Sequence, residues 1–376
     1  MHVGPIALAF PVFLLAIALE ALYARWRGSR TYSLPDALTS IHFGYLSEVE
    51  RTLARLLVAA IYAAVYQRYH AFELSAADWR VWLGALLAYD FCYYWVHRFG
   101  HEVNLVWASH QVHHSSEYFN LSTALRQTAT GSLLKWPFYL GLAVVGVPPV
   151  VFATVAFIDL LYQVWVHTEQ IGRLGWLDRV FVTPSNHRVH HGQNDYCIDR
   201  NYGGILVIWD RLFGTFAEER HSEPVVYGVR KRFQSLNPVW GNFIQYRELL
   251  AASRAAPNLR AALAVWFGPP QGWNEPVPHE DFTGFQRYSP SSEGGYRWAA
   301  VGQAAALMAL TLYYILMAES LAWPARILCA GGILLLSAVI GWQLEGRWRP
   351  FTHASATTHP GSAANGSSSP VSGDAR

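Results

Sequence analysis

The sequence predicts an all-α fold: a polytopic integral membrane helical bundle with a cytoplasmic, histidine-rich di-metal cap. Three observations predict it. Only 14% of the 376 residues are charged, against roughly a quarter in a typical soluble chain. Hydrophobic residues reach 52% and aromatics 15%, a mixture that suits apolar bands flanked by interfacial belts. Finally, nine of the sixteen histidines fall in the quarter of the chain between His97 and His191.

Taken in order, the first element is an apolar run from about Val3 to Tyr23, broken only by Glu20 and long enough to cross a hydrocarbon core of about 30 Å. Its positive charges, Arg25, Arg27 and Arg30, follow the run instead of preceding it, so it reads as a retained anchor and not a cleaved leader. Further spans are expected at about Ala54 to Tyr66, with a polar entry, and at Val81 to Val96. Leu133 to Val147 and Val150 to Val166 are joined at Pro148-Pro149 by no more than a turn, which predicts a helical hairpin. Ala299 to Met317 and Leu321 to Trp342 repeat that pattern and carry no candidate chemistry, so they read as scaffold or dimer surface. The Ser, Gly, Ala and Pro-rich tail from Thr352 is expected to be disordered.

Orientation follows from the basic residues, because positive loops stay cytoplasmic. Placing the N-terminus outside puts Arg25, Arg27, Arg30 and the segment from Gly172 to Arg297, with its fourteen Arg and Lys, on the inside. The polar middle then faces the cytoplasm. A net charge of +2 with dispersed Arg gives no electrostatic case for nucleic acid. The three widely separated cysteines, Cys92, Cys197 and Cys329, exclude a disulfide scaffold and a thiolate zinc site.

The histidine spacing carries the chemistry. His97 and His101 form HxxxH; His110, His113 and His114 form HxxHH, and His187, His190 and His191 form a second HxxHH. On a helix, i, i+3 and i+4 share a face, so each cluster aims two or three imidazoles at one point. With His167 as a ninth, at the end of a span, these are transition-metal ligands too numerous for one ion. Two ions are implied.

Carboxylates stand nearby. Asp90, Tyr94, His97 and His101 share one helical face, with Asp90 about 10 Å deeper than His97, and Asp159, Gln163 and His167 repeat the arrangement. Two divalent ions held only by neutral imidazoles leave positive charge uncompensated, and carboxylates accepting the ligands' second N–H offset it while fixing the tautomer. Asp90 and Asp159 are expected in that role, with Glu102, Glu117, Glu169 and Asp199 as further candidates. Arg98, Arg126 and Arg188 are read as ion-pair partners of nearby carboxylates, or as holding a phosphate or glycerol headgroup. Trp95, Trp107 and Trp165 read as interfacial anchors or as walls of a chain tunnel, and Phe91, Tyr93 and Tyr118 as packing.

These residues resemble the fatty acid hydroxylase and sterol desaturase superfamily, whose mark is three histidine boxes at these spacings. The stretches Asp90 to Glu102, His110 to Glu117, Asn120 to Gln127, Trp165 to Glu169, Thr183 to Gly192, Tyr196 to Tyr202 and Trp209 to Phe216 are similar to its alkylglycerol monooxygenase branch, with weaker echoes at Val226-Tyr-Gly228 and Gly272-Trp273. Position 163 is Gln where some members carry His. The resemblance implies two Fe ions, O₂ as oxidant, a membrane lipid as substrate and tetrahydrobiopterin as a candidate electron donor. It also implies hydroxylation of the carbon next to an ether oxygen, after which the hemiacetal collapses to a fatty aldehyde and glycerol. A sterol, fatty acid or carotenoid hydroxylase or desaturase of the same superfamily is the alternative.

On this reading, residues 1–80 are membrane anchor helices and 81–230 the catalytic domain with its three histidine boxes. Residues 231–297 form a cytoplasmic segment, 298–345 the last hairpin and 346–376 the tail. Placing His97 and His167 at span ends puts the site at the cytoplasmic interface, where a lipid could keep its headgroup in water and thread its chain between helices. A metal transporter would spread its histidines through the depth of several spans, and a structural zinc site closes with four ligands; neither pattern is present.

Overall fold

The computed structural model describes residues 5–232, 234–270, 279–290 and 294–347. These are helices and loops, with β-bridges only at Phe181 with Leu206 and Gly192 with Tyr227. The tail expected from Thr352, and the Gly272-Trp273 echo, lie outside the described residues.

The N-terminal helices are α1 (Pro5–Trp26), α2 (Leu34–Tyr69) and α3 (Trp79–Glu102). After a cap helix, α4 (Asn104–His114), come three short pieces, α5 (Leu121–Ala124), α6 (Gly131–Lys135) and α7 (Leu140–Val145), and then α8 (Pro149–Trp165). The rest of the cap holds α9 (Pro184–His190), α10 (Ile208–Leu212), α11 (Pro238–Ala255) and α12 (Leu259–Phe267). A last pair, α13 (Gly294–Met317) and α14 (Trp323–Leu344), pack along each other.

Among the described residues three helices are long and apolar enough to cross a membrane: Ala9–Trp26, Gly295–Met317 and Trp323–Leu344. The other expected spans are modified for reasons visible in their residues. The span expected at Ala54–Tyr66 is the second half of the 36-residue α2, where Leu56 and Leu57 stay exposed; its first half buries Asp36, Thr39, Ser40, His42 and Ser47 beneath the cap. Helix α3 covers the expected 81–96 but gives one face to Asp90, His97 and His101.

The expected hairpin around Pro148-Pro149 loses its first leg. Between α6 and α7 the chain runs as a 3₁₀ turn over Trp136–Tyr139, where Pro137 has no N–H to donate to an α-helical ladder. Gly146 then ends α7 at φ 111°, with its α-carbon so close to the Phe72 carbonyl that a Cβ would lie 2.1 Å from that oxygen; glycine alone tolerates both.

Two apolar cores flank the site. One joins α1, α2, α13 and α14 through Phe10, Tyr45, Leu46, Leu307, Tyr314 and Ile340. The other joins α2, α3, α7 and α8 through Tyr62, Tyr89, Leu142, Val151 and Val155. The last hairpin packs into the first of these cores and also reaches the cap. Glu345, just past α14, accepts from Ser235 Oγ at 2.6 Å, Leu236 N at 2.6 Å and Asn237 N at 3.2 Å.

Candidate metal centre

Four elements deliver the nine histidines. The C-terminal end of α3 presents His97 and His101 on one face. The C-terminal end of α4 presents His110, His113 and His114, and α8 releases His167 two residues past its end. Helix α9 has Pro184 at its first turn, where a missing N–H costs nothing, and carries His187, His190 and, at its C-cap, His191.

All nine side chains are buried, none above 8% exposed. They converge as two groups: His97, His101, His110, His114 and His190, and His113, His167, His187 and His191, each with its ring nitrogens within 4.8 Å of one another. The groups abut, with the His114 and His191 rings stacked 4.4 Å apart.

The tautomers show what such groups want. His113 Nδ1 lies 3.1 Å from the Arg126 carbonyl oxygen and His167 Nδ1 lies 2.7 Å from the Gln163 carbonyl oxygen. A carbonyl cannot donate, so both Nδ1 atoms carry the proton and both Nε2 atoms are lone pairs. Those two lone pairs face each other at 3.3 Å. Without a cation between them the contact is repulsive. Two nitrogens at ~2.1 Å from one ion lie about 3.0 to 3.4 Å apart, which matches this pair and also His187 with His167 at 3.0 Å, His191 with His187 at 3.2 Å and His114 with His110 at 3.2 Å. The buried His101 Nε2 and His190 Nε2 atoms have no hydrogen-bond partner. The donor set therefore fits two transition-metal ions, one per group.

Burial holds these imidazoles neutral, as ligands must be. It lowers His190 to about 4 and His167 to about 3, and together with neighbouring imidazoles drives His110, His113, His114, His187 and His191 well below the ordinary value.

The expected carboxylates sit elsewhere, and in four of the imidazoles, His97, His113, His167 and His190, the second N–H goes to backbone. His97 Nδ1 donates to the Tyr202 carbonyl at 2.9 Å and His190 Nδ1 to the Arg200 carbonyl at 2.9 Å. Asp90 receives no imidazole N–H: it accepts from Ile205 N at 2.7 Å, Leu206 N at 3.1 Å and Trp209 Nε1 at 2.9 Å, and so fixes the loop that carries Tyr202. Asp159 pairs with no imidazole either, and its Oδ1 has no partner. Both carboxylates crowd Gly204, where a Cβ would stand 2.7 Å from Asp90 Oδ1 and 2.9 Å from Asp159 Oδ1. Glu117 forks onto Arg232 at 2.6 and 2.8 Å and accepts from Tyr288 N at 2.5 Å, which ties residues near 288 to the cap. Glu169 keeps one buried oxygen unpartnered, and burial raises its carboxyl to about 7. Glu102 pairs with Arg98 at 2.8 Å. Asp199 is the one candidate that approaches a ligand, 3.8 Å from His101 Nδ1.

The arginines resolve as ion pairs: Arg98 with Glu102, Arg126 with Asp36 at 3.2 Å and Arg188 with Glu219 at 2.8 Å. Gln163, at the position where some members carry His, donates to the Gly204 carbonyl at 2.8 Å. Trp107 packs 5.1 Å from the His101 ring, while Trp95 packs on Phe213 and Trp165 on Tyr162.

Spacing did not reveal several residues that hold the ligand-bearing loops. Asp210 accepts from Tyr202 N at 2.7 Å, Gly203 N at 2.8 Å and Thr215 Oγ1 at 2.7 Å. Asn201, in the left-handed region at φ 58°, bridges the carbonyls of Asn186 and Ala217. Glu20, the single charge in the first apolar run, accepts from Leu121 N at 2.7 Å and from the hydroxyls of Tyr32 and Thr168, tying α1 to the loop after His167. The available signal was an ionisable residue within an apolar span.

Two cavities reach the imidazoles. A cap-side cavity of about 400 Å³ meets His101, His114 and His190 alongside Trp107, Asp199 and Arg230. A bundle-side cavity of about 310 Å³ meets His97 and His110 of one group and His113 and His167 of the other; Tyr93, Lys135 and Asp159 also line it.

Residues 82–215 match the fatty acid hydroxylase family. The chain is 43% identical over 274 residues to alkylglycerol monooxygenase of Danio rerio, covering 72% of this chain and 60% of that protein. It is 43% identical over 272 residues to the Homo sapiens enzyme of that name, with the same coverage. To alkylglycerol monooxygenase of Xenopus tropicalis it is 38% identical over 335 residues, covering 86% of this chain and 74% of that protein. The chain thus spans about 60% of the length of the first two. No solved structure matches it. With its histidine boxes inside the matched stretch, and three quarters of the Xenopus protein covered, the chain belongs to the alkylglycerol monooxygenase family.

Proposed function

We propose that this protein is a membrane-bound di-iron monooxygenase that hydroxylates the carbon next to the ether oxygen of alkylglycerol-type lipids, so that a fatty aldehyde is released. The observation that carries the reading is the convergence of two all-imidazole groups on one bundle-side cavity, in a chain whose relatives bear the name alkylglycerol monooxygenase. Two irons, one in each group, would supply O₂ activation. One atom of O₂ enters the C–H bond and the other leaves as water, with two electrons and two protons drawn from a reductant, for which tetrahydrobiopterin is the candidate. The product is a hemiacetal, whose C–O bond breaks to give aldehyde and glycerol.

The chain's own residues set the conditions. Backbone carbonyls of Tyr202, Arg126, Gln163 and Arg200 hold Nδ1 protonated on His97, His113, His167 and His190 and leave Nε2 free to bind metal. Burial of all nine side chains keeps bulk water away from the oxidising centre. The Arg and Lys of the cap support a cytoplasmic side for the site.

Incubating membranes that contain the protein with an alkylglycerol, a sterol and a free fatty acid, with and without tetrahydropterin, tests the assignment. Aldehyde is expected from the ether lipid alone, and only with the pterin. Turnover of the sterol or fatty acid with the ether lipid untouched would contradict it.

A further inference from the structure

The two cavities differ in which imidazoles they reach. The cap-side cavity meets the five-histidine group alone, whereas the bundle-side cavity meets both groups. In an alkylglycerol the reacting carbon is bonded to the ether oxygen, and that oxygen to the glycerol. Any reactive pose therefore puts the headgroup within a few bonds of the imidazoles. Since all nine imidazoles are buried, the headgroup enters the protein, in contrast to the expectation that it stays in water.

The bundle-side cavity has the walls and the size for that headgroup. Besides the four imidazoles its charged lining is Arg51, Lys135 and Asp159. Asp159 is 3% exposed, and its Oδ1 has no hydrogen-bond partner. A buried polar atom left unmade is costly, and a hydroxyl supplies the missing donor. An alkyl chain supplies none. A cavity of about 310 Å³ has room for a three-carbon diol and the adjoining carbons of the chain.

We propose, on the basis of the ether-lipid reading above, that the bundle-side cavity is the headgroup pocket: it takes the free diol of an alkylglycerol, with Asp159 as hydroxyl acceptor and Lys135 and Arg51 elsewhere in the same lining. The alkyl chain leaves between the helices.

The test is equilibrium binding to the iron-loaded full chain in lipid nanodiscs without O₂. The ligands are a 1-O-alkylglycerol and its 2,3-di-O-methyl ether. The wild-type protein is expected to prefer the free diol by about tenfold, the effect of roughly one or two hydrogen bonds. Asp159→Ala is expected to erase the preference over the dimethyl ether while keeping two irons, and Asp159→Asn, which retains an acceptor oxygen, to restore part of it. Equal wild-type affinity for diol and dimethyl ether, or an undiminished preference in Asp159→Ala, overturns the pocket. The ligand comparison on wild-type protein decides the question even if the alanine variant does not fold. Diol preference without aldehyde release in air counts against the ether-cleaving reading alone, and aldehyde release without diol preference counts against the pocket alone.

Discussion

At the scale of single residues, the centre depends on backbone carbonyls more than on acids. Four imidazoles point Nδ1 at the carbonyls of Arg126, Gln163, Arg200 and Tyr202, so ligand orientation is only as firm as the loops carrying those carbonyls. Asp90 is the sharpest case. Removing its carboxylate orphans two backbone N–H groups and the Trp209 indole N–H, at about 1–3 kcal/mol for each buried donor left unpaired. Asp90→Ala is expected to lower stability by at least about 3 kcal/mol and to weaken iron retention through Tyr202, although Asp90 touches no imidazole. Thermal unfolding together with iron analysis checks this; wild-type iron content and midpoint would refute the loop-anchoring role. Replacement of a direct ligand acts differently: His113→Ala or His190→Ala is expected to remove metal and activity together, measured by metal analysis and aldehyde release.

The histidines were legible because metal binding imposes spacing on a helix. HxxxH and HxxHH are short-range patterns, and α3, α4 and α9 keep them on single faces. The partners of those histidines were not legible, since Tyr202 meets His97 across 105 residues of sequence and Arg200 meets His190 only once the loop after α9 folds back. Asp90 and Asp159 drew notice as acids within apolar runs, and their partners, a loop for one and an open cavity for the other, depend on that same loop closure.

At the scale of elements, helix existence followed hydrophobic length and the departures followed backbone chemistry. Pro137 and Gly146 broke a stretch that composition alone reads as a span. The first half of α2 escaped notice because it faces the cap with Asp36, Thr39, Ser40 and His42 buried, a polar pattern that resembles a loop until its partners Arg126 and Ser116 are in place. Helix α14, which offered no chemistry in sequence, ends on Glu345, and that carboxylate gathers three donors at the start of α11. Glu345→Ala is expected to cost about 2–4 kcal/mol by leaving those donors unpaired, read as a lowered unfolding midpoint in detergent with the iron site intact below the transition. An unchanged midpoint would show that the hairpin and cap are not coupled through this residue.

At the scale of the whole molecule, apolar helices and a buried imidazole cage form one unit, and its acid sensitivity follows. Burial depresses His190 to about 4 and His167 to about 3, while an unfolded imidazole titrates near about 6.5. Between those values the unfolded chain binds more protons than the folded one, so stability rises with pH there and is lost as pH falls below about 6.5. Protons also compete with metal for the same nitrogens. Iron retention and unfolding midpoint are expected to be flat above about pH 7 and to fall together below it. A midpoint independent of pH down to about 5 would contradict a cage of buried neutral imidazoles.

The central claim is that the two histidine groups each hold an iron and together oxidise an ether lipid. Its most direct test is one preparation of full-length protein analysed for iron per chain and for aldehyde released from an alkylglycerol, wild type beside His187→Ala, a change confined to the four-histidine group. The account predicts two irons and pterin-dependent aldehyde for the wild type, and about one iron with no aldehyde for the variant. Full aldehyde release from the variant, or wild-type protein that binds a single iron and still cleaves the ether, would contradict it.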